Sequence, residues 1–271
     1  MFIFRLILAA LCAVPLSAAT AHEFWIEPFR YQLSDGDPVQ AHFRNGENFK
    51  GGALSYFDRN STRFEYSLNG KVEAITPRLG DSPALDIAAP AADGLLVVVH
   101  ETTASQLTYR EWEEFLKFAR HKDFQTAAED HLAEGWPQQG FRESYTRHAK
   151  SLIALGGGAG TDAPMGLETE FVALTNPYEP GFGGEMAVAL TLRGTPRADA
   201  QVEVFDSAPE GEVTVTLHRT DADGIARIPV TAGHQYLFDA VVLERHPEAD
   251  QFPESPVWRT LWAALTFAVP D

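Results

Sequence analysis

EMAVALTLRGTPRADAQVEVFDSAPEGEVTVTLHRTDADGIARIPVTAGHQYLFDAVVLE, residues 185–244, is the stretch that decides the fold class. It reads as the successive strands Glu185–Leu192, Val202–Phe205, Val213–Arg219, Ile225–Val230 and Tyr236–Glu244. Arg193-Gly194 and Asp223-Gly224 supply turn chemistry between them. Leu167–Leu174, closed by Asn176-Pro177, and Leu261–Val269 extend the pattern on either side. About seven short strands over roughly 100 residues predict an immunoglobulin-like β-sandwich. No repeated βα unit occurs, which disfavours a barrel or doubly wound sheet.

Upstream, Gly156-Gly157-Gly158-Ala159-Gly160 is the clearest linker, and 156–164 is assigned to it. The region before it carries helical spacing. Thr108-Tyr109-Arg110-Glu111 fits a capping box, followed by Trp112, Phe115, Leu116, Phe118 and Ala119. A second helix is predicted over Gln125–Glu134, ended by Gly135-Trp136-Pro137. A third is predicted from about Arg142 to Leu155, with Tyr145, Ala149, Leu152 and Ile153 on one stripe. From His22 to about Glu101 the chain returns to short strands: Val39–Arg44 alternates apolar and polar, and Phe64–Leu68, Val72–Ile75 and Leu85–Ile87 follow. Leu95-Leu96-Val97-Val98-Val99 is continuously apolar and β-branched, hence a strand covered on both faces. The expected protein is mostly β: two β-sandwich (immunoglobulin-like) domains, 22–155 and 165–271, with a helical insertion at about 107–155 in the first.

Residues 1–21 read as a secretory signal peptide. Arg5 gives a charged start, Leu6–Leu16 is apolar but too short to span a bilayer, and Ala19-Thr20-Ala21 is an A-x-A cleavage site. The expected location is therefore periplasmic or secreted. Removing 21 residues from 271 leaves 250 and takes away Arg5 and the only cysteine, Cys12. The remaining 38 acidic and 20 basic side chains give a formal charge near −18. That balance argues against nucleic acid or an anionic membrane surface as partner, and suits solubility and cation attraction. Neither a disulfide nor a cysteine zinc site is available to the mature chain. No later run is apolar for long enough to insert into a membrane.

The segment Ala21-His22-Glu23-Phe24-Trp25-Ile26-Glu27-Pro28 after a signal peptide resembles an uncharacterised exported family, often labelled NikM-like or cobalt/nickel-transport periplasmic component. Residues 145–152 (YTRHAKSL), 174–178 (LTNPY), 220–224 (TDADG) and 261–267 (LWAALTF) fit the same resemblance. It implies a periplasmic metal-handling role and a membrane transporter as partner. The family also carries a lysozyme-type glycosidase label. That activity needs paired carboxylates at the strand ends of a barrel, a scaffold this β-rich pattern does not offer.

His22 is the sharpest chemical feature. After cleavage at Ala21 it presents an α-amine and an imidazole on one residue, two nitrogens able to close a chelate ring on one ion. Such ligands suit Cu(II), Ni(II) and Zn(II), with copper favoured by the affinity order. A transition-metal ion, Cu, Ni or Co, is the expected ligand. The further candidate ligands are His42, on the polar face of its strand, and His100, which ends the most buried strand. Their simpler readings are a solvent-facing residue and a core histidine bonded to backbone, respectively. His148 is a third choice. His121 and His131 look exposed, and His218, His234 and His246 belong to the second half.

Catalytic constellations are weak. The mature chain has no Cys–His pair, and the sequence has no Gly-x-Ser-x-Gly. Gly156–Gly160 lacks the lysine of a phosphate cradle. Asp221-Ala222-Asp223-Gly224 reads as a hairpin turn rather than a calcium loop, for want of the other ligands. Trp112, Trp136, Trp258 and Trp262 suit packing, or the sugar-binding face of a non-catalytic module for a polysaccharide or protein partner. A copper oxidase of the histidine-brace type would need, beyond His22, an open coordination position and a substrate groove.

Overall fold

The computed structural model describes residues 22–251 and 254–271, so the signal-peptide assignment lies outside the described residues. The first half carries β1 (Glu23–Pro28), β2 (Gln32–Leu33), β3 (Val39–Glu47), β4 (Lys50–Leu54), β5 (Ser61–Leu68), β6 (Lys71–Ala74), β7 (Leu85–Ile87), β8 (Gly94–Thr102) and β9 (Ser105–Tyr109). Two helices follow, α1 (Trp112–His121) and α2 (Ala127–Ala133), and then β10 (Phe141–Leu155). The second half holds β11 (Thr169–Ala173), β12 (Glu185–Leu192), β13 (Thr195–Pro196), β14 (Gln201–Ser207), β15 (Val213–Arg219), β16 (Ile225–Pro229), β17 (Gln235–Arg245) and β18 (Trp258–Ala268). The protein is mostly β, as the turn spacing required.

These strands form three sheets. The central one has ten strands in the order β15-β14-β17-β18-β10-β8-β5-β6, with β2 and β9 also paired to β10. A four-stranded sheet, β1-β3-β4 with β7 on β3, covers one face, and a second, β11-β12-β13 with β16 on β12, covers the other. Alternation along β8 makes this arrangement physical. Leu95, Val97 and Val99 join the core shared with Phe171, Met186 and Ile228. Leu96 and Val98 point the other way, into the core shared with Trp25, Val39 and Leu85. A strand buried on both faces has no polar alternation to show.

The central sheet crosses the 156–164 segment. β10 from the first half runs parallel to β18 from the second, in register from Glu143↔Trp258 to Ser151↔Thr266. Phe205, Leu237 and Ala264 of the second half lie in the same core as β1 and β3. The seven strands read in the second half therefore divide, β14, β15, β17 and β18 in the central sheet and β11, β12 and β16 facing them.

Three local expectations need correction. The helix expected over Arg142–Leu155 is β10, so the helical insertion shrinks to α1 and α2. The spacing misled because polar residues were taken to mark solvent, whereas Glu143, Arg147, His148 and Lys150 are all buried. Each finds polar partners inside the protein instead. The capping box also sits three residues later than read: Glu111 is the cap, its carboxylate accepting from the Glu114 backbone while Glu114 reaches back. Thr108 belongs to β9, paired with Arg142. Asp221–Gly224 is a turn, held by Asp221 accepting from the Asp223 and Ile225 amides, but it joins strands of different sheets rather than closing a hairpin.

One glycine of the 156–160 run is dictated by packing. Gly158 has φ +64, and a Cβ there would meet the Ala154 Cβ at 2.6 Å and the Tyr178 Cβ at 2.9 Å. Only glycine combines that backbone with that approach.

Candidate functional site

The amino-terminal strand reaches three environments within three residues. β1 pairs with β3 from Glu23↔Gly46 onward, which brings His22 beside Glu47. His22 Nε2 stands 3.5 Å from the Glu47 carboxylate, with both side chains about half exposed. The Arg147 guanidinium donates to the His22 carbonyl. The first described residue is thus tied by its backbone and its ring.

Phe24 turns into a cavity of about 270 Å³ lined by residues of β1, β3, β8 and β10. Phe43, Tyr56 and Tyr145 form its walls, and His100 and Arg147 bring polar groups to it. His100 is 3 % exposed, lies 4.1 Å from the Phe43 ring, and shares a 2.9 Å hydrogen bond through Nε2 with the Ser61 hydroxyl. Burial drives its imidazole down to about 3, so it is neutral at physiological pH. Its Nδ1 is buried with no protein partner. The guanidinium of Arg147 rests on the Tyr145 and Trp262 rings, and burial lowers its proton affinity.

The three predicted metal ligands are not gathered. Phe43 faces His100, and because neighbours on a strand point to opposite faces, His42 faces away. Its ring packs on Phe29 instead, at 4.9 Å. His148 is 1 % exposed and bonds the Trp262 carbonyl through Nδ1, with burial lowering it to about 4. His131, read as exposed, is fully buried among the aromatic rings of the helical region, accepting from Trp258 Nε1 and bonding the Pro137 carbonyl.

Among the described residues, the group of three that converges closely enough for a cation is Glu23, Glu203 and Asp239. Sequence reading missed it, because β1, β14 and β17 bring its members together from distant positions. Lys122, at the end of α1, already fills its centre: Nζ donates to Glu203 at 2.5 Å, Asp239 at 3.0 Å and Glu23 at 3.4 Å. Against the cost of burial, the three carboxylates hold this ammonium charged well above its usual range. Burial raises Glu23 and Asp239, the Lys122 charge opposing it. His121, about half exposed, closes the cluster with a 2.7 Å contact to Glu203. The arrangement is an internal ion pair that ties α1 to two sheets.

Glu143 is a separate buried carboxyl on β10. It accepts from the Tyr109 and Thr260 hydroxyls, and burial pushes it up to about 7. A carboxyl raised in the folded state from the usual 4.5 penalises folding above its folded value, and the penalty disappears as pH falls through it. Glu143→Gln should therefore gain about 1–3 kcal/mol relative to the wild type at pH 8 and lose the advantage by pH 5. Urea denaturation at the two pH values measures this; a constant offset between the proteins would contradict it.

The comparisons with known proteins add family but not role. No curated protein matches the chain. Among solved structures, the tetra-tandem repeat in the extending region of a large adhesion protein is similar over 91 % of this chain, at 9 % identity and a TM-score of 0.20. The chain spans about half of that structure, 49 % of its length. Residues 19–244 match the family described as "Domain of unknown function (DUF4198)", and since that span covers most of the chain, the chain belongs to this family.

Proposed function

We propose that the mature chain is a periplasmic protein that binds a transition-metal ion, Cu, Ni or Co, at its amino terminus and assists uptake or delivery, with a membrane transporter as partner. The observation that carries this reading is the Glu47 carboxylate 3.5 Å from His22 Nε2. A carboxylate on one ring nitrogen orients a ligating histidine and leaves the other nitrogen for the metal. Nδ1 is the ring nitrogen that would close a chelate ring with the α-amine of the same residue once Ala21 is removed. Arg147 holding the His22 carbonyl fixes the backbone from which both nitrogens project. His42 and His100 drop out of the ligand set, since one faces away and the other is buried among Phe24, Phe43 and Phe64.

The test is calorimetric titration of a chain beginning at His22 with Cu(II), Ni(II) and Co(II), against the same chain with one extra amino-terminal alanine. One-to-one binding is expected, weakened on the order of 100-fold by the extra residue and about 10–100-fold by Glu47→Gln. Equal binding by the first two chains, or none by either, sinks the reading.

A second reading rests on the cavity beside His22. Aromatic walls with an arginine at one end suit a sugar ring bearing an anionic group, as a non-catalytic binding module for a polysaccharide would have. A glycan screen of the metal-free protein separates the two, since only this reading expects a hit there.

A further inference from the structure

β10 carries a buried lysine whose amine lies against two carboxylates. Lys150 Nζ is 2.8 Å and 2.7 Å from the two oxygens of Asp162, 3.1 Å from Glu170 Oε1 and 3.3 Å from the Ala163 carbonyl. The Lys150 and Asp162 side chains are each 1 % exposed and that of Glu170 is 2 %. Asp162 lies in the segment after the glycine run, and Glu170 on β11. The site shares no residue with the His22 region.

We propose that Lys150 and Asp162 join autocatalytically into an intramolecular amide, with Glu170 carrying the proton. Bonded to both oxygens, the amine lies near the carboxyl plane and roughly 3 Å from Cγ, so a turn about the Cβ–Cγ bond is what presents the carbon to it. The ion pair and the neutral pair of amine and carboxylic acid differ only by a proton moved from Nζ to Asp162, and removal from water favours the neutral pair. Burial raises Asp162 in that sense, against the Lys150 charge.

Attack of the neutral amine on Cγ then forms the Nζ–Cγ bond and puts negative charge on a carboxyl oxygen. The backbone amides of Ala163 and Ala173 donate to the two Asp162 oxygens, both at 2.8 Å, and are placed to hold that charge. Glu170 takes the proton from the attacking nitrogen and returns it to the departing hydroxyl. The Cγ–O bond breaks, one water leaves, and no oxidant or cofactor is consumed. The amides of Met165, Gly166 and Leu167 all donate to Glu170 and keep its carboxylate facing Nζ. The product staples β10 to the segment ahead of β11, in a chain whose single cysteine can form no internal disulfide.

Trypsin digestion of the purified full chain, followed by mass spectrometry, tests the bond. Cleavage after Arg147, Lys150 and Arg193 yields 148–150 and 151–193 from an unlinked chain. A linked chain, whose acylated lysine resists trypsin, yields 148–193 lighter by one water, with fragment ions joining Lys150 to Asp162. The linked product is expected to dominate in the wild type, to vanish in Lys150→Gln, and to form at least tenfold more slowly in Glu170→Gln. Wild-type protein giving the two separate peptides overturns the proposal. So does a water loss that survives Lys150→Gln, which marks a cyclic imide at Asp162. Unchanged formation in Glu170→Gln overturns the role of Glu170.

Discussion

Lys122→Met is expected to cost about 3–5 kcal/mol of folding stability at pH 8, because it strips the shared lysine from three buried carboxylates. The methionine stem replaces the lysine stem in volume, so the loss is one of charge rather than packing. What remains beside Glu203 is His121, whose side chain is half in solvent. Glu23 and Asp239 are already raised by burial with Lys122 present, and without it they rise further. A carboxyl raised in the folded state exerts its full penalty above its folded value and releases it as pH falls. The variant should thus recover part of its deficit between pH 8 and pH 5. Urea denaturation of both proteins across that range is the measurement. A deficit below about 1 kcal/mol at pH 8, or one that does not shrink with acid, would mean the cluster does not depend on its lysine.

The second large effect is acid sensitivity from buried neutral histidines. His100 in the folded protein is lowered to about 3 and His148 to about 4, from a usual 6.5, in both cases chiefly by burial. The unfolded chain gains a proton at each below 6.5 while the folded chain does not. Stability from these two groups is therefore complete above pH 6.5 and lost as pH falls from 6.5 towards 4 and 3. At pH 4.5 each has withdrawn about 2–3 kcal/mol. Glu143 works in the opposite direction over part of the window, so the single-variant comparison isolates the effect. His100→Phe keeps a ring among Phe24, Phe43 and Phe64 and should remove about one proton's worth of slope between pH 6.5 and 4.5. If its stability falls with acid as steeply as the wild type's, His100 is not buried as described.

The metal expectation illustrates how far chemistry can be read from a chain and where it stops. The proposal for His22 draws on local sequence alone: an expected cleavage site and the residue after it. Its neighbour Glu47 was not legible there, because strand pairing and not sequence distance sets them side by side. His42 and His100 were both candidate ligands, one on the polar face of its strand and one at the end of the most buried strand. The pleat separates them, since Phe43 points at His100 and so turns His42 to the opposite face.

What the sequence by itself determined is the mostly-β class, the positions of the second-half strands, the two short helices and the double-sided burial of Leu95–Val99. Those features are written in turn residues and apolar runs a few residues long, and local sterics and water act at that range. Only the tertiary structure decided that Arg142–Leu155 is a strand, that both halves share one central sheet, and that Lys122 and Lys150 are enclosed by carboxylates. A buried polar side chain looks like a surface one until its partner is known. Here the partners lie as far apart in sequence as Lys122 and Asp239, brought together by sheet pairing that no local pattern encodes.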